Sequence, residues 1–306
     1  MKPSFIIITA LTLISCANKP TDNSQSETTD SVQIVVEPIK DPMRVGEIPL
    51  PEGFERVPIE DTTSFAYFLR NLPLKPIGTP VYTYDGYEYW TTDYAYAVID
   101  GYDPGNEDLQ LCADAIIRIR AEWLWRNKRY DEIVFHFTNG DLCEYKRFAE
   151  GESFTIKNNK IVWYKDSKKH DRDYSYEYFL AYLNWVFRYA GTISLERELS
   201  PVDIHDIQIG DVFIKGGSPG HAIIVVDVAN DVKWHKGDKV FLVAESYMPA
   251  QDIHILKNMN NYREKTSPWH IMYDVIRNGE DDYNFSTFSF GPKNLKRFSQ
   301  LISNNF

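Results

Sequence analysis

Three residues spread along the chain are of the types that cysteine-based acyl chemistry uses: Cys112, His221 and Glu245. Cys112 lies in Asp108-Leu109-Gln110-Leu111-Cys112-Ala113-Asp114, early in an apolar-periodic stretch that predicts a long amphipathic helix over 107–125. Asn106 is placed to cap that helix, with Glu107 and Asp108 in its first turn. The N-terminal end of a helix carries roughly half a positive charge, which favours a thiolate there. His221 follows Gly216-Gly217-Ser218-Pro219-Gly220 and opens the apolar run Ala222-Ile223-Ile224-Val225-Val226, where it can take the proton of a thiol. Glu245 is the lone charged side chain in Phe241-Leu242-Val243-Ala244-Glu245-Ser246-Tyr247 and is suited to hold the imidazole nitrogen distal to sulfur. Gln110 is a candidate oxyanion donor beside the cysteine, and Gln251 is a second candidate for orienting His221.

Each residue has a plainer use. Cys112 can be a buried helix residue or the disulfide partner of Cys143. A helix from Cys112 to Arg126 rises about 21 Å and a strand over 132–138 returns a similar distance, so that pairing is geometrically open. His221 can be a core histidine bonded to a carbonyl, and Glu245 can pair with Arg118 or Arg120. The glycine run resembles a phosphate cradle but lacks the Lys-Ser/Thr ending and precedes a strand. His170-Asp171 and His205-Asp206 offer metal-binding types without two histidines at ligand spacing. No metal or organic cofactor is expected.

The elements that must position these groups follow from periodicity and turn signals. A short helix is predicted within 61–72 and strands over 81–84 and 94–100. Hairpins follow over 133–138/142–148 through Asn139-Gly140, and over 154–156/161–164 around Asn158-Asn159. A helix over 174–190 meets Gly191. The β-branched runs 212–214, 222–228 and 240–246 read as buried strands, and a last helix is predicted over 294–302. The pattern is α+β, a long helix packed on an antiparallel sheet with inserted hairpins.

Composition limits the partners. With 44 acidic against 33 basic residues and a net charge of −11, the chain lacks the basic surface that nucleic acid demands. Its 43% hydrophobic fraction suffices for a core, and three cysteines are too few for a disulfide scaffold. Lys2 precedes an apolar run over 5–14, shorter than the roughly 20 residues that span a bilayer. The run ends in Leu13-Ile14-Ser15-Cys16, which resembles a lipobox. Residues 1–15 are therefore expected to be a lipoprotein signal peptide and Cys16 the acylated residue, each buried CH₂ of its chains contributing about 0.8 kcal/mol to membrane binding. Polar residues over 16–44 read as a flexible tether and 45–306 as one domain, with an insertion over about 132–170. The expected location is the bacterial cell envelope, lipid-anchored and facing the periplasm.

The stretch Gly210-Asp211-Val212-Phe213 and Pro219-Gly220-His221-Ala222-Ile223-Ile224-Val225-Val226 resembles the histidine strand of papain-like cell-wall cysteine peptidases of the NlpC and CHAP kind. In those folds the order is cysteine at a helix start, histidine opening a strand, and a polar residue on the adjacent strand. Cys112, His221 and Glu245 occur in that order, although Ala113-Asp114 stands where a glycine or serine pair often follows the cysteine. The resemblance implies a cysteine hydrolase with peptidoglycan as a candidate partner. Nearly the whole mature chain also resembles a family of bacterial lipoproteins, the domain of unknown function 4846. That likeness is carried by Asp108–Glu122, Tyr189–Leu199, Gly210–Asp227 and Ser246–Gln251. The rival expectation is a non-catalytic envelope lipoprotein that binds glycan or protein through its 20 tyrosines and other aromatics.

Overall fold

A computed structural model describes residues 41–167, 172–234, 236–261, 264–272 and 282–299. Residues 1–15 expected to be a signal peptide, Cys16, nearly all of the expected tether and His170-Asp171 lie outside the described residues. No helix among the described residues is long and apolar enough to cross a membrane.

Strand β1 (Phe54–Arg56) precedes a short helix, α1 (Phe65–Arg70), which Ser64 caps by accepting the Tyr67 N–H at 3.1 Å. Then come β2 (Ala95–Val98) and the long helix α2 (Cys112–Arg126). A hairpin of β3 (Val134–His136) and β4 (Leu142–Glu144) leads into α3 (Tyr145–Ala149). A second hairpin, β5 (Glu152–Lys157) and β6 (Lys160–Lys165), turns on Asn158 and Asn159, both left-handed at φ of 50° and 59°. That is the backbone a tight right-twisted hairpin requires. After α4 (Tyr176–Tyr189) and α5 (Thr192–Glu198) the chain turns to strands. These are β7 (Leu199–Pro201), β8 (Val212–Lys215), β9 (His221–Asp231), β10 (Lys239–Glu245), β11 (His254–Leu256), β12 (His270–Ile271), β13 (Tyr283–Asn284), β14 (Ser289–Phe290) and β15 (Leu295–Phe298).

Among the described residues nine strands form one antiparallel sheet in the order β2-β11-β10-β9-β8-β15-β7, with β1 also paired to β9 and β12 to β10. The long strand β9 explains its own composition. Ala222, Ile224 and Val226 enter the core shared with Ile116, Ile117 and Ile119 of α2, while Ile223 and Val225 enter a second core with Phe213, Phe241 and Phe290. A strand buried on both faces needs an unbroken apolar run. Asp227 pairs with Leu242 but Val225 with Val243, leaving Val226 as an extra residue, and beyond this bulge the faces exchange so that Val228 joins the second core. Asp227 itself is fully buried, and two guanidinium groups hold it: Arg56 Nε at 2.6 Å and Arg70 Nε at 2.7 Å.

The mixed α+β class and the antiparallel pairing agree with the expectation, whereas several boundaries differ for identifiable reasons. The long helix begins at Cys112 rather than 107. Its upstream residues are bonded elsewhere: Asp108 Oδ1 accepts the Ala250 N–H at 2.7 Å, and the Gln110 carbonyl accepts the Ser246 hydroxyl at 3.1 Å. Residues 81–84 form only isolated bridges, and 145–148 are the helix α3 instead of strand. Helix α4 does end just before Gly191, with Ala190 as its C-cap, but that glycine has an extended φ of 170° and leads directly into α5. The last predicted helix is instead strand β15, paired with β8 and β7. There Arg297 donates to Asp211 at 2.6 and 2.8 Å, and sheet pairing overrides local propensity.

Candidate active site

Helix α2 lies against β9 and β10, so its first residue meets the start of one strand and the end of the other. The start is sharply defined. The Leu111 C=O accepts the first helical bond from Ala115 N–H at 2.9 Å, and Asp114 Oδ2 reaches back to the Leu111 N–H at 3.1 Å. Cys112 is thus the first helical residue, where the backbone N–H has no partner within the helix and points out of its positive end. The Cys112 side chain is half-buried.

His221 is presented by a turn that only glycine can form. A Cβ on Gly220 would lie 2.3 Å from the Gly217 carbonyl and 2.8 Å from Thr192 Oγ1. Two of the turn N–H groups are already used: Gly216 donates to Glu196 Oε2 at 3.1 Å and Gly217 to Thr192 Oγ1 at 3.4 Å. A carboxylate therefore fills the place that a phosphate would need, and the cradle reading fails. The imidazole is 2% exposed, its ring centroid 4.9 Å from Tyr247 and 5.3 Å from Phe288.

Cys112, His221 and Glu245 converge. His221 Nε2 lies 2.7 Å from Glu245 Oε2, and Cys112 is near enough to the same ring to act on its titration. With Nε2 given to the carboxylate, Nδ1 is the nitrogen left for sulfur. Thr287 Oγ1 donates to the same Glu245 oxygen at 2.8 Å, and His254 Nε2 stands 3.5 Å from Oε1. Burial alone would depress the His221 pKa, but nearby Cys112 together with the hydrogen bond to Glu245 and its charge raise it to about 9. Burial would raise that of Glu245, yet the hydrogen bond to His221 and the proximity of His254 bring it down to about 2. Both shifts favour the charged forms, imidazolium and carboxylate, through the contact between the two groups.

Other sequence candidates fall elsewhere. The Gln110 side chain is buried, its oxygen taken by Arg118 and its amide 3.4 Å from the Tyr102 carbonyl, contacts that support the helix entry. Gln251 is bonded to Thr91 and to the Pro249 carbonyl, away from His221. Arg118 donates to the Asp103 carbonyl and Arg120 stacks on Phe65, Trp123 and Phe298, so neither arginine is the partner of Glu245. Both described cysteines are free. Cys143 is wholly buried on β4, and burial pushes its thiol pKa up. No cluster of metal-ligating side chains occurs among the described residues, and the exposed His205 backs onto an Asx turn with Asp203.

Thr287 and His254 were not legible as site residues. Thr287 lies in a loop with no motif, and His254 is set opposite Glu245 only by the β10–β11 register, which sequence spacing does not give. No curated protein and no solved structure matches the chain. A family model does, over residues 45–297, and the chain belongs to the family described as Domain of unknown function (4846).

Proposed function

We propose that this chain is a membrane-anchored lipoprotein of the bacterial envelope whose domain is a papain-like cysteine hydrolase, cleaving an amide bond in cell-wall peptide or a related substrate. The observation that carries the reading is the convergence of half-buried Cys112, first residue of a helix, with the buried hydrogen-bonded pair His221–Glu245. Cys112 first passes its proton to His221 Nδ1, and the resulting thiolate Sγ attacks the carbonyl carbon, leaving the imidazolium beside it. The oxyanion faces the Cys112 backbone N–H at the positive helix end. Collapse breaks the C–N bond, and His221 returns the proton to the leaving amine. Water, deprotonated by His221, then hydrolyses the thioester and frees the thiol. Glu245 holds the ring in the tautomer that presents Nδ1 to sulfur and stabilises the imidazolium. Acylated Cys16 and the tether over 16–44 place the domain near a membrane on this reading.

The test is amine release from soluble cell-wall peptide. The wild-type protein releases new amino groups, and a folded Cys112→Ala variant releases none. Equal release by both sinks the assignment of the nucleophile.

A second reading, a non-catalytic binding module for glycan or protein, draws on the aromatic surface beside the site. Trp90 is 44% exposed with its ring 5.4 Å from Tyr247, and Tyr82, Tyr87 and Met248 are exposed nearby in sequence. On that reading Cys112→Ala leaves binding to cell-wall glycan unchanged and the wild-type protein releases no amine.

A further inference from the structure

Glu245 has a second histidine behind it that the proposed hydrolysis does not use. Its Oε2 is filled by His221 Nε2 at 2.7 Å and Thr287 Oγ1 at 2.8 Å. Its Oε1 is buried without a hydrogen-bond partner, and so is His254 Nε2; the two atoms face each other at 3.5 Å, an ion-pair separation rather than an ordinary hydrogen bond. His254 is fully buried and sits opposite Glu245 in the β10–β11 register.

The other ring nitrogen fixes the chemistry. His254 Nδ1 lies 3.0 Å from the Asp252 carbonyl, which only accepts, so Nδ1 carries a hydrogen. That carbonyl is firmly placed, because the Asp252 carboxylate is held by Lys75 Nζ at 3.0 Å and the Tyr82 N–H at 3.0 Å. If His254 were neutral, its Nε2 lone pair would face a carboxylate oxygen with no other partner for either atom. Two buried acceptors in opposition cost desolvation on both sides, and a single proton between them removes both costs.

We infer that His254 carries a hydrogen on both ring nitrogens, Nδ1–H on the Asp252 carbonyl and Nε2–H towards Glu245 Oε1, and is the positioning residue that holds the Glu245 carboxylate in line with His221. The series then reads Cys112, His221, Glu245, His254, one carboxylate between two imidazole rings. Two further titratable groups among the described residues feel Glu245: Tyr247, whose pKa is raised by burial and then by the Glu245 charge, and His270 on β12, buried against Phe241 and Phe285 with both nitrogens unpartnered, whose pKa burial pushes down to about 3, so neither competes for the proton. Tyr247 and Phe288 cover His221 from the other side. The proton placement stands on geometry alone, whereas its effect on sulfur rests on the hydrolase reading.

Two measurements separate these. Long-range nitrogen–proton NMR of histidine-labelled wild-type protein at neutral pH reports His254 with both nitrogens protonated. A bare Nε2 overturns the inference whatever Cys112 does. Secondly, the alkylation rate of Cys112 is followed against pH by mass spectrometry in wild type, His254→Phe and His254→Gln. The phenylalanine variant slows about tenfold near neutral pH, the effect of one unit of lost His221 basicity. The glutamine variant, whose amide can donate to Oε1, recovers most of the rate. A folded His254→Phe protein with the wild-type profile overturns the positioning role, and if that variant does not fold the NMR result decides. A doubly protonated His254 beside an unreactive Cys112 keeps the proton placement and removes the hydrolase reading instead.

Discussion

His221 Nε2 and Glu245 Oε2 are 2.7 Å apart, on adjacent antiparallel strands and both almost wholly excluded from water. Because the carboxylate takes the Nε2 hydrogen, the ring is fixed with Nδ1 towards Cys112, and the strand pairing sets the orientation of the candidate base. Removing one partner of such a pair leaves an uncompensated buried charge. Glu245→Ala is therefore expected to lower the unfolding free energy by about 3–5 kcal/mol. Glu245→Gln keeps the volume and removes the charge, so urea denaturation should show a smaller loss for it. Equal and negligible losses for both would show that the pair does not hold the strands.

The pH range of that stabilisation follows from the two shifts. His221 is raised from 6.5 to about 9, so its contribution is complete below about 6.5 and fades as pH rises through 9. Glu245 is lowered from 4.5 to about 2, so its contribution is complete above about 4.5 and fades as pH falls through 2. The difference in Tm between wild type and His221→Ala should therefore be largest between about pH 4.5 and 6.5 and shrink on both sides. A difference that grows steadily as pH rises from about 6.5 to 9 contradicts an upward shift at His221.

The two described thiols should behave differently. Cys112 is half-buried at a helix start, whereas Cys143 is wholly buried with its thiol pKa raised and its own carbonyl held by Tyr182 Oη at 2.7 Å. Iodoacetamide should modify Cys112 in the native protein and Cys143 only after denaturation, as read by peptide mass spectrometry. A Cys112–Cys143 disulfide in the oxidised protein would end the hydrolase reading.

Asp227 offers a control remote from the chemistry. It is fully buried between Arg56 and Arg70 and ties β1 and α1 to the central strand. Asp227→Ala should cost about 3–5 kcal/mol in chemical denaturation, since two guanidinium groups lose their counter-charge. The Cys112 alkylation rate of the still-folded fraction should stay at the wild-type level.

What could be read before the structure depended on range. The strands carrying His221 and Glu245 were legible because burial on both faces demands continuous apolar runs, and their antiparallel pairing puts the start of β9 and the end of β10 at the same end of the sheet. The start of α2 was not, because Asp108 and Gln110 are acidic and polar residues that suit a first helical turn yet are claimed by Ala250 and Ser246, some 140 residues downstream. The later start strengthens the site, since it makes Cys112 the first residue of the helix. Residues 295–298 likewise read as helix until their partners on β8 and β7 are known. Proximity in sequence suggested Gln110 as an oxyanion donor, and its amide is bonded to Arg118 and Tyr102.

At the centre stands the action of His221 on the Cys112 sulfur. Its most direct test is the rate of Cys112 alkylation near neutral pH in wild type and in a folded His221→Ala variant. Loss of a positioned base should slow the reaction by about 10²-fold or more. Equal rates in the two proteins would contradict the account, leaving a cysteine and a histidine that are neighbours without chemistry between them.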